Sequence, residues 1–415
     1  MSACQLSRPP LFNSNKERLV LLGVFIFTFF IHLLFDYNKY LEFSKFDDYI
    51  CDVQVQNHYI KNSRSVLKLK ANDFTFYTKA SANLRSLQGA KISVRIFNSD
   101  VTFLDYIKGF YAPSHLLGLY PENSYRSKIA NKINTQHDDE LFSSLFNTLF
   151  LALPASSDLR EVLTTFSISH LVALSGFHLG LLALIIHFIL VPLYKFFQQR
   201  FFPWRSRNVD ITYISIALLF VYVVFTDFPP SLLRAFTMMV IGWFIYDRGL
   251  EVFSFENLIV TVLILFALSP SLIFSIGLWF SVAGVFYILI FLKSFQNLNK
   301  IIFFVLLHFW IFIVMLPIIH YVFDTFTVFQ LLSPLLSMLF IIFYPIEMLL
   351  HIFSLGGLLD TTISSLFSLE TKVYLIGVPY WFLIIYLLSS LAAIRYKFFV
   401  YLTFLMALSI FAIFK

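Results

Sequence analysis

From residue 171 to its end the chain returns repeatedly to apolar runs long enough to cross a lipid bilayer. They fall at 171–194, 209–226, 231–246, 255–269, 272–291, 301–322, 327–350, 379–394 and 398–414, and one more stands at 19–35. A bilayer core takes roughly 20 residues of helix, and several of these runs are a little shorter. Inside lipid, backbone polar groups must be satisfied within the segment, so such runs are helices. Charged residues make up 13% of the chain, well below the roughly 25% of soluble domains. Phe alone occurs 53 times, more than one soluble core can hide. The sequence predicts a polytopic α-helical membrane protein of about ten spans.

The net charge of +6 speaks first to topology, because Lys and Arg gather in cytoplasmic loops. With the N-terminus inside, the inner loops hold Lys195, Arg200, Arg205 and Arg207, then Arg248, then Lys293 and Lys300, then Lys372. The outer loops around Asp227, Ser269 and Asp324 hold neither Lys nor Arg. Only the short outer turn with Arg395 and Lys397 breaks the pattern. The expectation is therefore a cytoplasmic (inner) membrane protein with both termini cytoplasmic. Arg8, Lys16 and Arg18 precede the first run, and no clear small-residue cleavage site follows it, which favours an uncleaved anchor over a signal peptide. Cys4 and Cys51 flank that run, cannot pair across it, and leave no CxxC spacing for a metal. The expected division is an N-terminal tail and anchor at 1–40, a β domain at 41–112, an amphipathic connector at 113–168, a core of spans at 169–350 and a C-terminal segment at 351–415.

The outer segment changes period. Residues 53–57, 65–70, 74–80 and 90–97 read as strands, with Ile92, Val94 and Ile96 alternating against Lys91, Ser93 and Arg95. Asn72-Asp73 supplies a turn. Several short strands in so few residues suggest a small all-β, OB-like extracytoplasmic barrel, a small sandwich being the alternative. Residues 58–97 carry Lys61, Arg64, Lys68, Lys70, Lys79, Arg85, Lys91 and Arg95 against one acid, Asp73. Tyr59, Phe74, Phe76, Tyr77 and Phe97 are interleaved. Cations that track phosphates beside rings that stack on bases make a single-strand binding face; the same residues also fit a barrel whose rings fill the core and whose cations solvate it. Lys68, Lys70, Lys91, Arg95, Phe74 and Tyr77 are the candidate DNA contacts.

The most informative string is FSISHLVALSGFHLGLL at 166–182. It resembles the signature of the ComEC competence family, the membrane channel of DNA uptake, through His170, Ser175, Gly176 and His178. PSLLRAFTMMVIGWFIYDR (230–248), with Arg234, is similar to a later family stretch. So is FENLIVTVLILFALSPSLIFSIGLWFSVAGV, with Pro270 and Ser281, and LPIIHYVFDTFTVFQLLSPLLSMLFIIFYP looks like the Pro-punctuated spans that follow. The likeness covers roughly residues 45–350. Ser167 stands where Gly is common in the family, Trp279-Phe280-Ser281 where Gln-Leu-Ser is common, and Ser333 where Asn is common. Many members carry a metallo-β-lactamase-like domain, but none of the ten histidines here falls in a His-x-His-x-Asp-His cluster, so a short form without metal ligands is expected. The resemblance implies single-stranded DNA and the lipid bilayer as partners, a periplasmic DNA-receptor protein outside and a helicase-type motor inside.

The residues themselves leave several readings open. On a continuous helix Ser175 and His178 lie one turn apart: they can line a pore, pack helices, supply ordinary buried polarity, or form a nucleophile pair, though no acid stands near to orient it. An intramembrane Arg234 can meet DNA phosphate or snorkel to the outer interface. Glu347 marks a helix end, neutralises a base, or belongs to a proton path. No GxxxxGK[ST] loop is present, so no nucleotide site of that kind is expected, and no cofactor. Two other functions use the same residues. One is a proton-coupled transporter of an anionic metabolite or lipid-linked precursor, which has little use for a basic, aromatic outer domain. The other is an intramembrane Ser/His hydrolase.

Overall fold

The computed structural model describes residues 14–61, 64–71, 73–80, 89–120, 125–249, 251–369 and 372–413. They form two compact units, one of residues up to 159 together with 260–275, the other of residues 160–259 with 276–413.

The first unit opens with helix α1 (Asn15–Phe43), started by Ser14, whose side chain accepts from the Glu17 amide. Strands β1 (Asp48–Lys61), β2 (Arg64–Lys70), β3 (Thr75–Ala80) and β4 (Lys91–Phe97) follow, then α2 (Phe103–Lys108), β5 (Phe110–Tyr111) and β6 (Ser114–Leu119). Alternation places Val53, Val55, Leu67, Leu69, Phe76, Ile92, Val94 and Ile96 in one core, as a period of two requires. The sheet order is β5-β3-β2-β1-β4-β6, with β3 and β5 parallel. Its two outermost strands are consecutive in sequence, joined only by Ala112-Pro113, so the sheet has to curl until its edges nearly meet. The Ala112 amide donates to Tyr77 O on one edge, and the Phe97 amide donates to Pro113 O on the other. The last strand, β6, lies in what the sequence assigns to the connector; Pro113 and Gly118 hide its strand character. The rest of the connector is helical, as α3 (Tyr125–Asn134), α4 (Glu140–Leu151) and α5 (Ser157–Thr165). Asn72 and Arg85 lie outside the described residues, as do the side chains of Tyr59, Lys61 and Arg64.

Anchor and sheet share one core. Phe43, the last residue of α1, is 2% exposed and packs on Tyr49, Phe74, Tyr106 and Phe110. Tyr40 Oη donates to Val101 O, and Lys39 Nζ meets Asp73 Oδ1 at 2.5 Å.

The other unit comprises α6 (Ser169–Val172), α7 (Gly176–Phe201), α8 (Arg207–Phe225), α9 (Pro230–Asp247), most of its neighbour α10 (Phe255–Leu268) lying with the first unit, and then α11 (Ile276–Ser294) and α12 (Lys300–Val322). It continues through β7 (Thr325–Thr327), α13 (Ser333–Ile352), α14 (Asp360–Phe367), β8 (Val373–Leu375), α15 (Tyr380–Ala392) and α16 (Lys397–Ser409). Among the described residues six helices are long and apolar enough to span a membrane: α1, α7, α8, α11, α12, and α13 with the turn before it. Three apolar helices, α10, α15 and α16, are shorter. Pro192, Pro317 and Pro345 sit inside α7, α12 and α13.

The expected sidedness of the last third is corrected by strand pairing. β7, at the end of α12 remote from Lys300, pairs antiparallel with β8, and the Ile376 amide donates to Asp324 O. Residues 373–376 therefore share a side with Asp324, although the sequence assigns Lys372 to the opposite one. The passage of α13 is matched by a return through the 3-10 turn Gly356–Leu359 and α14, a stretch too weakly apolar to recognise as a crossing. Everything after it is inverted. Tyr287 Oη meets Ser390 Oγ at 2.9 Å and Lys293 Nζ donates to Ile394 O at 2.8 Å, so α15 runs parallel to α11. Trp310 stacks on Phe404 and Phe326 meets Phe411, so α16 runs parallel to α12. Arg395 and Lys397 thus lie with Lys293, and the single exception to the loop-charge pattern disappears. The C-terminal end lies on the side of β7, not with Lys293. Reporter fusions after residue 205 and after Arg395 are expected to read one side, and fusions at residue 325 and at the C-terminus the other; agreement between residue 205 and the C-terminus would overturn this topology.

Candidate functional site

The signature string is not one helix. α5 ends at Thr165, Ser167 turns the chain, α6 makes one turn, and Ala173 to Ser175 run extended before α7 begins at Gly176. The sequence reading of a continuous helix from 171 is corrected here. Ser167 has φ +53°, the left-handed region where a side chain is strained and Gly is at ease. The carbonyl of Ser167 accepts from Ser333 Oγ at 3.2 Å, so two of the positions that depart from the family pattern touch each other. Thr327 Oγ1 donates to Thr165 O, and Gln330 Nε2 to Thr325 O at 3.3 Å. Phe166 stacks on Phe329 at 5.2 Å. These contacts satisfy backbone that no helix satisfies.

Further along, Ser175 is the N-cap of α7 and His178 its third residue. The Ser175 amide donates to His178 Nδ1 at 3.2 Å, and Ser175 Oγ lies 3.2 Å from the same nitrogen. An acceptor three residues into a helix that reaches back to the cap is the capping-box arrangement, with imidazole in place of carboxylate. His178 is fully buried, edge-on to Phe340 and Tyr344 of α13 at 5.5 and 5.1 Å. The string is therefore clamped to the start of α13 at Ser333 and to its middle at Tyr344. His170 is exposed on the string and Ser175 half-buried.

Neighbouring stretches of sequence converge on the same helix ends. A Cβ on Gly176 would stand 3.4 Å from Ala235 Cβ, at van der Waals contact, so α7 and α9 pass close to each other here. Arg234, next to Ala235, is buried and donates from Nη2 to Gly277 O at 3.1 Å. It ties α9 to the first turn of α11. Ser281 is half-buried one turn further along α11. The N-terminal ends of α7, α9 and α11 thus meet through motif residues. Pro270 is buried at the start of a 3-10 turn, Pro270–Phe274, and belongs to the other unit.

On the curled sheet the outward positions form a second feature. Lys68 pairs with Tyr77 across β2 and β3, and its Nζ lies 5.9 Å from the centre of that ring. Burial draws the Lys68 ammonium pKa below its ordinary value. Tyr77 stacks on Tyr111 at 5.0 Å, and Tyr111 is 68% exposed. The sequence reading missed Tyr111 because it lies beyond the recognised strands. Lys70 and Lys91 both face Gln54, so they share the outward side. Arg95 is exposed but lies 3.3 Å from Asp48, which offsets its charge. Phe74 is corrected: it is 8% exposed, enclosed by Phe43, Phe76, Tyr106 and Phe110, and has no face left for a base.

Apolar helices of spanning length, interrupted by polar turns that bridge between them, define a multi-span membrane protein. Residues 155–414 match the family model described as Competence protein, well over half the chain. The chain belongs to the competence protein family, whose members act in DNA uptake. The β sheet precedes the matched region. No curated protein and no solved structure matches the chain.

The strain at Ser167 has a measurable consequence. Ser167→Gly relieves the left-handed backbone and should leave thermal stability of the purified protein unchanged or slightly raised. Ser167→Val should lower it by about 1–3 kcal/mol, because a β-branched side chain is a true outlier there. Equal stability of the two variants would show that the turn is not held as described.

Proposed function

We propose that this protein is the inner-membrane channel that passes single-stranded DNA into the cell during natural transformation. The observation that carries the reading is the convergence of the family signature on the N-terminal ends of α7, α9 and α11, next to an irregular chain segment. Irregular backbone at membrane depth is tolerated where it lines a cavity or is packed in protein, and helix N-termini favour anionic groups. The strand is the substrate, and no covalent chemistry is assigned to Ser175 or His178: their hydrogen bonds belong to a helix cap. His170, Ser175, Gly176, His178, Arg234 and Ser281 shape the passage rather than react, and Pro270 is a motif residue of the other unit.

In this reading the basic loops with Lys195 to Arg207, Arg248, Lys293 and Arg395 face the cytoplasm. The N-terminus is inside, and the β domain and the C-terminal end are outside. The β domain is a barrel of OB type, with β5 and β6 as two halves of one broken closing strand; β1 pairing with both β2 and β4, and β3 parallel to β5, support this. Its β2–β3 face, the usual ligand face of such barrels, presents Tyr77, Tyr111, Lys68 and Lys70. Single strands bind by ring stacking and by phosphate contacts to the cations. A periplasmic receptor delivers the strand and a helicase-type motor draws it inward.

Two measurements test the reading. Full-length protein in detergent should bind single strands with an affinity that falls with salt. Reversing charge at Lys68, Lys70 and Lys91 should flatten that dependence by about 0.7 in log–log slope per lost phosphate contact, with a smaller effect at Arg95. Tyr111→Ala should cost about 1–3 kcal/mol. Unchanged binding in both variants would remove the platform from the proposal. In cells, a clean deletion should let labelled DNA reach the outer face of the cytoplasmic membrane and yield no transformants. Normal transformation in that strain, with no second family member present, would overturn the channel.

A further inference from the structure

The buried face of α13 carries ionisable groups that neither the cap nor the outer platform uses. Phe340, Tyr344, Glu347 and His351 recur at helical spacing and are all buried. Glu347 is 0% exposed and neither carboxylate oxygen has a hydrogen-bond partner. His351 Nδ1 lies 3.4 Å from Glu347 Oε2 and bonds Glu347 O at 2.8 Å. A carboxylate with no protein donor is among the costliest groups to bury in ionised form, and inside a membrane such a residue is functional by default.

We propose that Glu347, with His351 beside it, is a proton-binding site within the membrane domain, the ligand being one proton taken up by the carboxyl. Loading forms an O–H bond on the carboxylate. His351 Nδ1 already carries the hydrogen it donates to Glu347 O, so the proton stays on the carboxyl, and loading takes the pair from one negative charge to none. A metal cation is a poor fit. Only two oxygens are offered, both from one side chain, where hard cations take about six ligands, and no group of three ligating side chains occurs among the described residues.

The site has a route toward the signature string. Tyr344 stands just under one turn before Glu347 on the same face, and its ring meets that of His178 at 5.1 Å. Other titratable groups on elements packed against α13 are Lys300, His308, His320 and Tyr321 of α12, His178 of α7, Tyr222 of α8 and Asp360. His308 and His320 of α12 bond Phe304 O and Phe323 O, and Asp360 follows the 3-10 turn after α13. From α8, Tyr222 bonds Tyr344. Protonation of Glu347 therefore changes charge beside the helix that clamps the signature string at Ser167 and His178. In a DNA channel, this couples passage to the proton gradient; that purpose rests on the channel reading, whereas proton binding does not.

The test is pH-difference infrared spectroscopy of full-length protein in phosphatidylethanolamine–phosphatidylglycerol vesicles, paired with transformation assays. The wild type should show a buried carboxyl C=O band that titrates, that Glu347→Gln abolishes, and that His351→Asn shifts without removing. Glu347→Gln should insert in normal amount and lose transformation. Spectra unchanged by Glu347→Gln would overturn the site. Normal transformation by Glu347→Leu would overturn its coupling to DNA passage. A deletion strain that transforms normally would sink the channel reading alone and leave the carboxyl band untouched.

Discussion

Three residue pairs between β7 and β8 decide how the last third of the chain is arranged. Each pair is a short piece of backbone ladder, yet together they bring residues 373–376 to the end of α12 remote from Lys300. Once that is fixed, α15 has to run with α11 and α16 with α12, because helices of this length cannot double back inside lipid. The polar contacts agree: Tyr287 with Ser390, Lys293 with the carbonyl of Ile394, Tyr386 Oη with Val314 O at 2.6 Å. These buried hydrogen bonds select a register where apolar packing alone would tolerate sliding.

The signature string solves a different problem. It is broken between α5, α6 and α7, so backbone groups at the breaks need partners from elsewhere. Ser333 donates to the carbonyl of Ser167, Thr327 to that of Thr165 just before the string, and His178 accepts from the amide of its own cap. A histidine serves where a glutamate would serve in water, since a neutral ring accepts a hydrogen bond without bringing charge into the interior. The pairing of Ser with His at three-residue spacing therefore has a structural explanation that needs no nucleophile.

Much of this was legible in the sequence. Apolar runs located the helices, because lipid leaves a helix no alternative, and alternation located β1 to β4. β6 escaped notice because Pro113 and Gly118 break its pattern, and Tyr111 escaped with it. The return after α13 was invisible because its two short helical pieces are individually too polar to read as a span. Burial separated Phe74 from Tyr77, which alternation alone should have done, since they lie three apart and fall on opposite faces. The break before Gly176 could not be read from FSISHLVALSG, whose composition suits a helix; only the left-handed turn at Ser167 and its tertiary partners reveal it.

The last turn of α1 does not merely lead into the sheet; Phe43 completes the sheet's interior. Helix and sheet consequently behave as one solid piece, like a mast set into a hull rather than a float on a tether. Under the proposed function, a load applied to a strand held against Tyr77 and Tyr111 would be borne along α1 into the bilayer, with no slack linker to absorb it. The proposed platform and the seating of the anchor would then be parts of one mechanical element, and loosening the joint at Phe43 would cost traction before it cost affinity.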